Sequence, residues 1–267
     1  MSDSNAAGAI LEIGEITKYF GGLCAVKNFS LSLPRGALWG LIGPNGAGKT
    51  TVFNLITGLL PLTSGSINLD GERIDGLEAF EITRLGTART FQNIRLFSSL
   101  SVLDNVRVAY HAHVEYGLTD SFLRTRKFLD KEKELSDQAL DFLSIFKLDG
   151  IAEEIARNLP YGEQRRVEIA RALACKPKVL LLDEPAAGMN PREIGQLMEL
   201  IHFIRDRFKL TILLIEHQMR VVMGICERIT VMDFGEVIAR GTPKEIAGDQ
   251  MVIEAYLGKG AATSAAG

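Results

Sequence analysis

The sequence predicts an α/β fold with a helical segment inserted into it, and three observations carry that reading. Gly43-Pro-Asn-Gly-Ala-Gly-Lys-Thr50 fits the G-x-x-x-x-G-K-[ST] pattern of a phosphate-binding loop, with a short apolar run (37–42) before it and a helix-like stretch (51–60) after it. The continuous apolar runs 179–182 and 211–215 have the length and composition of strands buried on both faces of a parallel sheet. Between about 102 and 159 the apolar spacing changes to three and four residues, so that Leu135, Ala139, Phe142 and Phe146 share one helix face.

In chain order, residues 10–33 alternate and turn like an antiparallel edge sheet, with Gly21-Gly22 at the turn. Pro34-Arg-Gly36 closes that sheet before the loop strand. A tight turn at Thr63-Ser-Gly-Ser66, followed by Ile67-Asn-Leu69-Asp-Gly71, is expected to form another hairpin. The mixed charges of the helical stretch (Arg124, Arg126, Lys127, Lys131, Glu132, Lys133, Glu134) read as a solvated face. After Pro160 the α/β alternation returns: a helix over 163–174, the first buried strand, a helix over 192–208, the second buried strand, a helix over 219–226 and a hairpin over 229–239. Asp233-Phe-Gly235 matches a protein-kinase triplet, but no H-R-D loop precedes it, and it reads as the turn of that hairpin. The small, polar end 258–267 is expected to be flexible, as is the start, 1–10.

Composition narrows the class. With 267 residues, 46% of them hydrophobic, the chain can bury a substantial core. A net charge of −3 argues against a general nucleic-acid binder. Cys24, Cys175 and Cys226 are odd in number, far apart and in no metal spacing, which suits packed thiols in a reducing compartment. No signal peptide is expected at the start, and no apolar run approaches the ~18–20 residues that would span a membrane.

The chemistry is readable in the loop itself. Glycines at 43, 46 and 48 let successive backbone N–H groups curl inward as an anion nest, with Pro44, Asn45 and Ala47 between them. The helix beginning near Thr51 turns its positive end to the same place. Lys49 can reach the β- and γ-phosphates of a nucleotide, and the Thr50 hydroxyl can ligate Mg2+. Asp183, at the end of the first buried strand, stands where the Mg2+-holding acid of such sites falls, and the adjacent Glu184 can polarise an attacking water.

The stretch Asn158-Leu-Pro-Tyr-Gly-Glu-Gln-Arg-Arg-Val-Glu-Ile-Ala-Arg171 resembles the signature of the ATP-binding cassette family, L-S-G-G-Q, placed just before a helix and upstream of Asp183. Leu159, Gly162 and the following Gln164-Arg165 match; Pro160 stands at the serine, Tyr161 at the first glycine and Glu163 at the glutamine. In the family this segment contacts the γ-phosphate held by a second subunit, a contact that Pro160, with neither hydroxyl nor N–H, cannot reproduce. The resemblance further implies that Phe20 stacks on adenine, that Gln92 touches Mg2+ and water, that His217 is the switch histidine reaching the γ-phosphate, and that Asn190 stands at the D-loop aspartate. It runs from about residue 11 to 257 and implies a P-loop NTPase domain with a RecA-like core (11–91 and 161–257), an antiparallel β subdomain and a helical subdomain (about 92–160).

Within the family, ARTFQNIRLF, LLDEPAAGMNP, LLIEHQM and EAYLG are similar to the ATPase subunits of bacterial high-affinity branched-chain amino-acid importers. That likeness implies ATP and Mg2+, a second and different ATPase subunit, two membrane permeases and an external binding protein. It also implies work at the cytoplasmic face of the inner membrane, with membrane contact through the permeases only. Importers of urea or short amides use similar ATPases and stay open as the alternative. A cassette ATPase acting on nucleic acid or the ribosome would need a coiled-coil insert, a second cassette or a basic excess, and a silent ATP-binding regulator would have no use for Asp183, Glu184 and His217 together.

Overall fold

The computed structural model describes residues 8–110 and 126–257. Arg124 and the expected flexible tail 258–267 lie outside the described residues, as does most of the expected flexible start. Residues 9 and 10 of that start are already paired strand, with Ala9 opposite Pro34. The described residues fall into two compact units, one drawn from 1–89 with 178–267 and the other from 90–177.

The first unit is built on two sheets. β1 (Ala9–Phe20), β2 (Leu23–Pro34), β4 (Ser64–Leu69) and β5 (Glu72–Arg73) form an antiparallel sheet in the order β2-β1-β4-β5. β3 (Leu38–Ile42), β6 (Thr87–Arg89), β7 (Val179–Asp183), β8 (Thr211–Ile215), β9 (Arg228–Asp233) and β10 (Glu236–Gly241) form a second sheet in the order β10-β9-β3-β8-β7-β6, parallel except at β10. All five residues of β7 and all five of β8 are buried, as continuous apolar runs demand. Successive side chains alternate across the pleat. Val179, Leu181, Leu213 and Ile215 therefore join one core with Ile10, Ile16, Phe29 and Ile67 of the antiparallel sheet.

Helix α1 (Lys49–Ile56) lies in that same core through Val52, Phe53, Leu55 and Ile56. Full burial of a side chain such as Phe53 contributes about 1.5–3 kcal/mol. The core thus fixes the helix whose first turn carries Lys49 and Thr50. α1 is shorter than the expected 51–60 helix. Gly58, at φ 69°, reverses the chain, and a Cβ there would lie 2.8 Å from both Ile82 Cδ1 and the Leu77 carbonyl.

The expected turn at 63–66 is instead the start of β4. Gly65 is required because β1 passes close by, with Ile16 Cα 2.6 Å from where a Cβ would sit. The chain turns at Asp70-Gly71, both at positive φ, before β5. Asp233-Phe-Gly235 is a turn as expected. Phe234 (φ 43°) and Gly235 (φ 83°) form a two-residue hairpin loop with Asp233 paired to Glu236. The unit is completed by α2 (Ala79–Leu85) and, after the helices of the second unit, by helices at Pro191–Phe208, Met219–Ile225, Pro243–Ala247 and Gln250–Leu257.

In the second unit, α3 (Val102–Tyr110), α4 (Arg126–Ile145) and α5 (Tyr161–Ala174) pack on one another. Leu135, Ala139 and Leu143 of α4 are buried, with Phe146 just beyond its end. Phe142 meets Tyr110 edge-on with ring centroids 6.0 Å apart. The mixed charges of α4 are largely exposed, with Glu132 taken by Arg107 at 2.7 Å. The helical subdomain was expected to stop at 160, but α5 groups with it rather than with the sheets. Val167, Ile169, Ala170 and Leu173 form its buried side, and α3 and α4 supply neighbours for that side. The remaining helices are α6 (Pro191–Phe208), α7 (Met219–Ile225), α8 (Pro243–Ala247) and α9 (Gln250–Leu257). Among the described residues no helix is long and apolar enough to cross a membrane.

Candidate active site

The loop between β3 and α1 needs its glycines for different reasons. A Cβ on Gly43 would lie 2.0 Å from the Met232 carbonyl oxygen, and one on Gly48 (φ 98°) 2.4 Å from that of Ala25. Gly46 (φ 83°) has open space on that side and is held by its backbone conformation alone. The Gly235 amide donates to the Ala47 carbonyl at 3.1 Å, so the β9–β10 hairpin braces the loop from outside. Lys49 is buried and donates across the loop to the carbonyls of Gly43 (2.7 Å) and Pro44 (2.9 Å). Burial holds its ammonium below the usual lysine value, while the nearby carboxylates of Glu184 and Asp183 act to raise it. An amide-lined loop with open space at Gly46, a cation at its base and the hydroxyls of Thr50 and Thr51 beyond it is a donor set that fits a polyphosphate.

Asp183 ends β7, nearly buried, and its Oδ2 accepts from the Arg89 guanidinium at 2.6 Å. Arg89 also donates to Asn54 Oδ1 of α1 at 2.7 Å and lies over the Phe53 ring at 5.4 Å. This arginine, three residues before Gln92, was missed by sequence reasoning. Only the β6–β7 register, with Arg89 opposite Leu181, reveals that it reaches Asp183. A carboxylate near Lys49, with the Thr50 hydroxyl on the helix that follows the loop, is a set of oxygen donors that fits a hard divalent cation such as Mg2+.

Glu184 follows at φ 46°, its amide bonded to the Ile215 carbonyl at 2.8 Å, so the carboxylate leaves the sheet at a sharp reversal. Its Oε2 is 3.4 Å from His217 Nδ1. The residue that fixes this pair is Glu216, fully buried and also missed. Its carboxylate accepts from the amides of Ala186 (2.8 Å), His217 (3.0 Å) and Gln218 (3.2 Å). Burial pushes the Glu216 carboxyl up, and those three amides pull it back down. A glutamate beside a strand-end histidine has no sequence pattern to mark it; its burial is a tertiary fact.

Asn190, expected at a D-loop aspartate position, caps α6. Its side chain accepts from the amides of Arg192 and Glu193, and Glu193 answers through its own carboxylate. Phe20 ends β1 half-exposed, with Lys18 Nζ 5.2 Å from its ring, so it presents a ring face instead of packing into the core. Tyr256 of α9 lies against the Gly43 amide. Burial raises its phenol, and that amide lowers it.

Gly43 to Thr51, Asp183, Glu184, His217 and Phe20 thus belong to the first unit, while Gln92 and the segment Leu159–Gln164 belong to the second. Helix α5 begins two residues earlier than expected. Pro160 is its N-cap, its carbonyl accepting from the amides of Glu163 and Gln164 at 3.0 Å each. Tyr161 and Gly162 are therefore helical first-turn residues, Leu159 is buried, and Gln164 Nε2 reaches back to the Leu159 carbonyl at 2.8 Å.

β8, which ends at Ile215 just before Glu216 and His217, stands between the loop strand β3 and the carboxylate strand β7. Loop, carboxylates and histidine therefore leave three consecutive parallel strands at their C-terminal ends, where ligands of such sheets bind. That arrangement, with a helical unit entered beside Gln92, is the construction of an ATP-hydrolysing cassette. The chain belongs to the ABC transporter family, whose model matches residues 26–187; a second family model, described as branched-chain amino acid ATP-binding cassette transporter, matches 236–262.

Among individual relatives, the chain is 46% identical to the high-affinity branched-chain amino acid transport ATP-binding protein LivG of Salmonella typhimurium, over 94% of this chain and 98% of that one. It is 44% identical to the corresponding protein BraF of Pseudomonas aeruginosa, with the same coverage. Among solved structures, the ADP conformation of MJ1267, an ATP-binding cassette of an ABC transporter, matches with a TM-score of 0.82 at 32% identity, over 94% of this chain and 99% of that one.

Proposed function

We propose that this chain is the ATP-hydrolysing subunit of an importer for branched-chain amino acids. The observation that carries the reading is the Glu184–His217 pair, held at 3.4 Å beside a braced phosphate loop. The 46% identity to LivG and the second family match at 236–262 support the cargo.

In this reading the loop amides and Lys49 bind the β- and γ-phosphates of ATP, and the exposed face of Phe20 stacks on adenine. Thr50, Gln92 and Asp183 would hold Mg2+, which when bound neutralises charge on the phosphates. Glu184 takes a proton from the attacking water, an effect typically worth ~10²–10⁴-fold, and His217 holds the γ-phosphate in line. The segment Leu159–Gln164 covers the phosphates on a second ATPase subunit, and that subunit's signature covers this chain's loop. Two permeases and an external binding protein complete the machine, with this chain at the cytoplasmic face of the inner membrane. ATP closes the pair of ATPases and hydrolysis reopens it, a two-state element biased by γ-phosphate contacts.

The test is uptake of labelled leucine and labelled urea in cells lacking the subunit, complemented with the wild-type chain or with Glu184→Gln. We expect leucine uptake to return with the wild type and to stay at least about a hundredfold lower with the variant, the low end of the loss of a general base. Lost urea uptake beside intact leucine uptake would replace the cargo, and full uptake with Glu184→Gln would remove that residue from the base role.

A further inference from the structure

The second unit contains an ion pair with no exposed surface to explain it. Arg165 is 0% exposed and Glu168 1%, one turn apart on α5, with Nη1 to Oε2 at 2.7 Å. Removing two charges from water is costly, and the pairing alone rarely compensates for it. What these two groups do with their remaining donors and acceptors is more informative. Arg165 Nη1 donates to the Phe91 carbonyl at 2.6 Å and Nη2 to the Gln92 carbonyl at 2.8 Å. Those carbonyls belong to the two peptide units on either side of the Gln92 α-carbon, so one planar guanidinium sets the backbone of Gln92. Glu168 Oε1 accepts from the amides of Arg95 (3.0 Å) and, at longer range, Phe91 (3.5 Å). Four backbone polar groups of the segment 91–95, two carbonyls and two amides, are thereby held by two side chains of one helix.

The same guanidinium reaches the start of that helix. Arg165 Nη2 donates to the Tyr161 hydroxyl at 3.0 Å and stands over the Tyr161 ring at 5.7 Å. Tyr161 is the residue that departs from the family's glycine, and its half-exposed side chain is the outer end of the network. The departure is thus structurally connected to the Gln92 loop. A glycine there could not make this contact.

We propose that Arg165 and Glu168 are positioning residues that lock the Gln92 loop to helix α5, so that whatever engages the first turn of α5 through Tyr161 is transmitted to Gln92 without slack. The proposal rests on the transport-ATPase reading for the ligands at each end, a nucleotide phosphate held by a second ATPase subunit at Tyr161 and the hydrolytic water at Gln92. The lock itself is a property of this chain.

The experiment uses the assembled transporter in lipid vesicles, with the wild-type chain, Arg165→Lys, Tyr161→Phe, and the paired replacement Arg165→Met with Glu168→Leu. Apolar replacement of a whole buried pair generally leaves a protein folded, so the paired variant should keep its melting temperature within about 5 °C. Its kcat for ATP should fall about tenfold or more while KM changes less than about threefold, because an interaction made after binding has been lost. Hydrogen exchange at the Arg95 amide should accelerate by about tenfold or more, as expected on losing a charge-assisted acceptor. Arg165→Lys keeps the charge but cannot bracket two carbonyls, and should lie between the wild type and the paired variant. Tyr161→Phe should lower kcat and leave exchange at Arg95 unchanged. A paired variant with wild-type kcat, or an Arg95 amide exchanging at the wild-type rate in that variant, would overturn the proposal. Failure of the transport reading would show separately, as full hydrolysis by Glu184→Gln, while the exchange measurement would still decide whether the lock exists.

Discussion

Lys49 illustrates how a single residue can serve the site at the expense of the fold. Its amine is buried under the loop, and its pKa lies below the usual 10.5 because burial disfavours the ammonium more than Asp183 and Glu184 favour it. For a group with a lowered folded-state pKa, the stabilising share is present above 10.5 and is lost as the pH falls through the folded value. Near neutral pH the charged lysine therefore costs stability in the absence of phosphate. Lys49→Met should abolish most nucleotide affinity in a titration, yet lower the ligand-free melting temperature at neutral pH by no more than about 3 °C. A larger fall would mean that the bonds to the Gly43 and Pro44 carbonyls outweigh the burial penalty. Glu216 is a second case: burial raises its carboxyl, and the amides of Ala186, His217 and Gln218 offset part of that cost by donating to it.

Single elements here do two things at once. The β9–β10 turn, whose Asp-Phe-Gly could be mistaken for a catalytic triplet, closes a hairpin and braces Ala47 of the loop. The start of α6 likewise comes seven residues after the Glu184 reversal, and its N-cap Asn190 joins that segment to a long helix buried along one face by Ile194, Leu197, Ile201 and Ile204. Asn190→Ala removes an acceptor for two amides and should cost about 1 kcal/mol, lowering the melting temperature by about 2–4 °C in a chain of this size. Asn190→Asp keeps an acceptor of the same reach and should melt with the wild type. Thermal unfolding of the two variants side by side checks the assignment, and equal losses would contradict it.

At the scale of the whole molecule, the proposed pairing of two ATPases makes Pro160 the residue to watch. It is the N-cap of α5, with extended ψ near 150°, a conformation serine adopts at this position by preference. Pro160→Ser should therefore fold as the wild type does and add a hydroxyl at the helix end that, in the proposed pairing, faces the second subunit's phosphates. We expect the ATPase rate of the assembled transporter to rise by about twofold to tenfold, the worth of about one added hydrogen bond. An unchanged rate, with melting also unchanged, would mean that the hydroxyl is dispensable in the proposed pair.

The sequence by itself determined the phosphate loop, the buried strands ending at Asp183 and Ile215, the helical face of Leu135 and Ala139, and the order of the family's motifs. Each of these is written in spacing: glycines at fixed intervals, unbroken apolar runs, a repeat of three and four. The tertiary structure alone decided that Arg89 holds Asp183, that Glu216 gathers the amides around His217, that Gly65 is a close approach and not a turn, and that Arg165 and Glu168 grip the Gln92 loop. Those facts have no spacing to betray them. Arg89 stands 94 residues from its partner, and Arg165 stands 73 from the carbonyl of Gln92. A charged side chain reads as surface until the packing around it removes the water, and only then must it find the partners that make it part of the site.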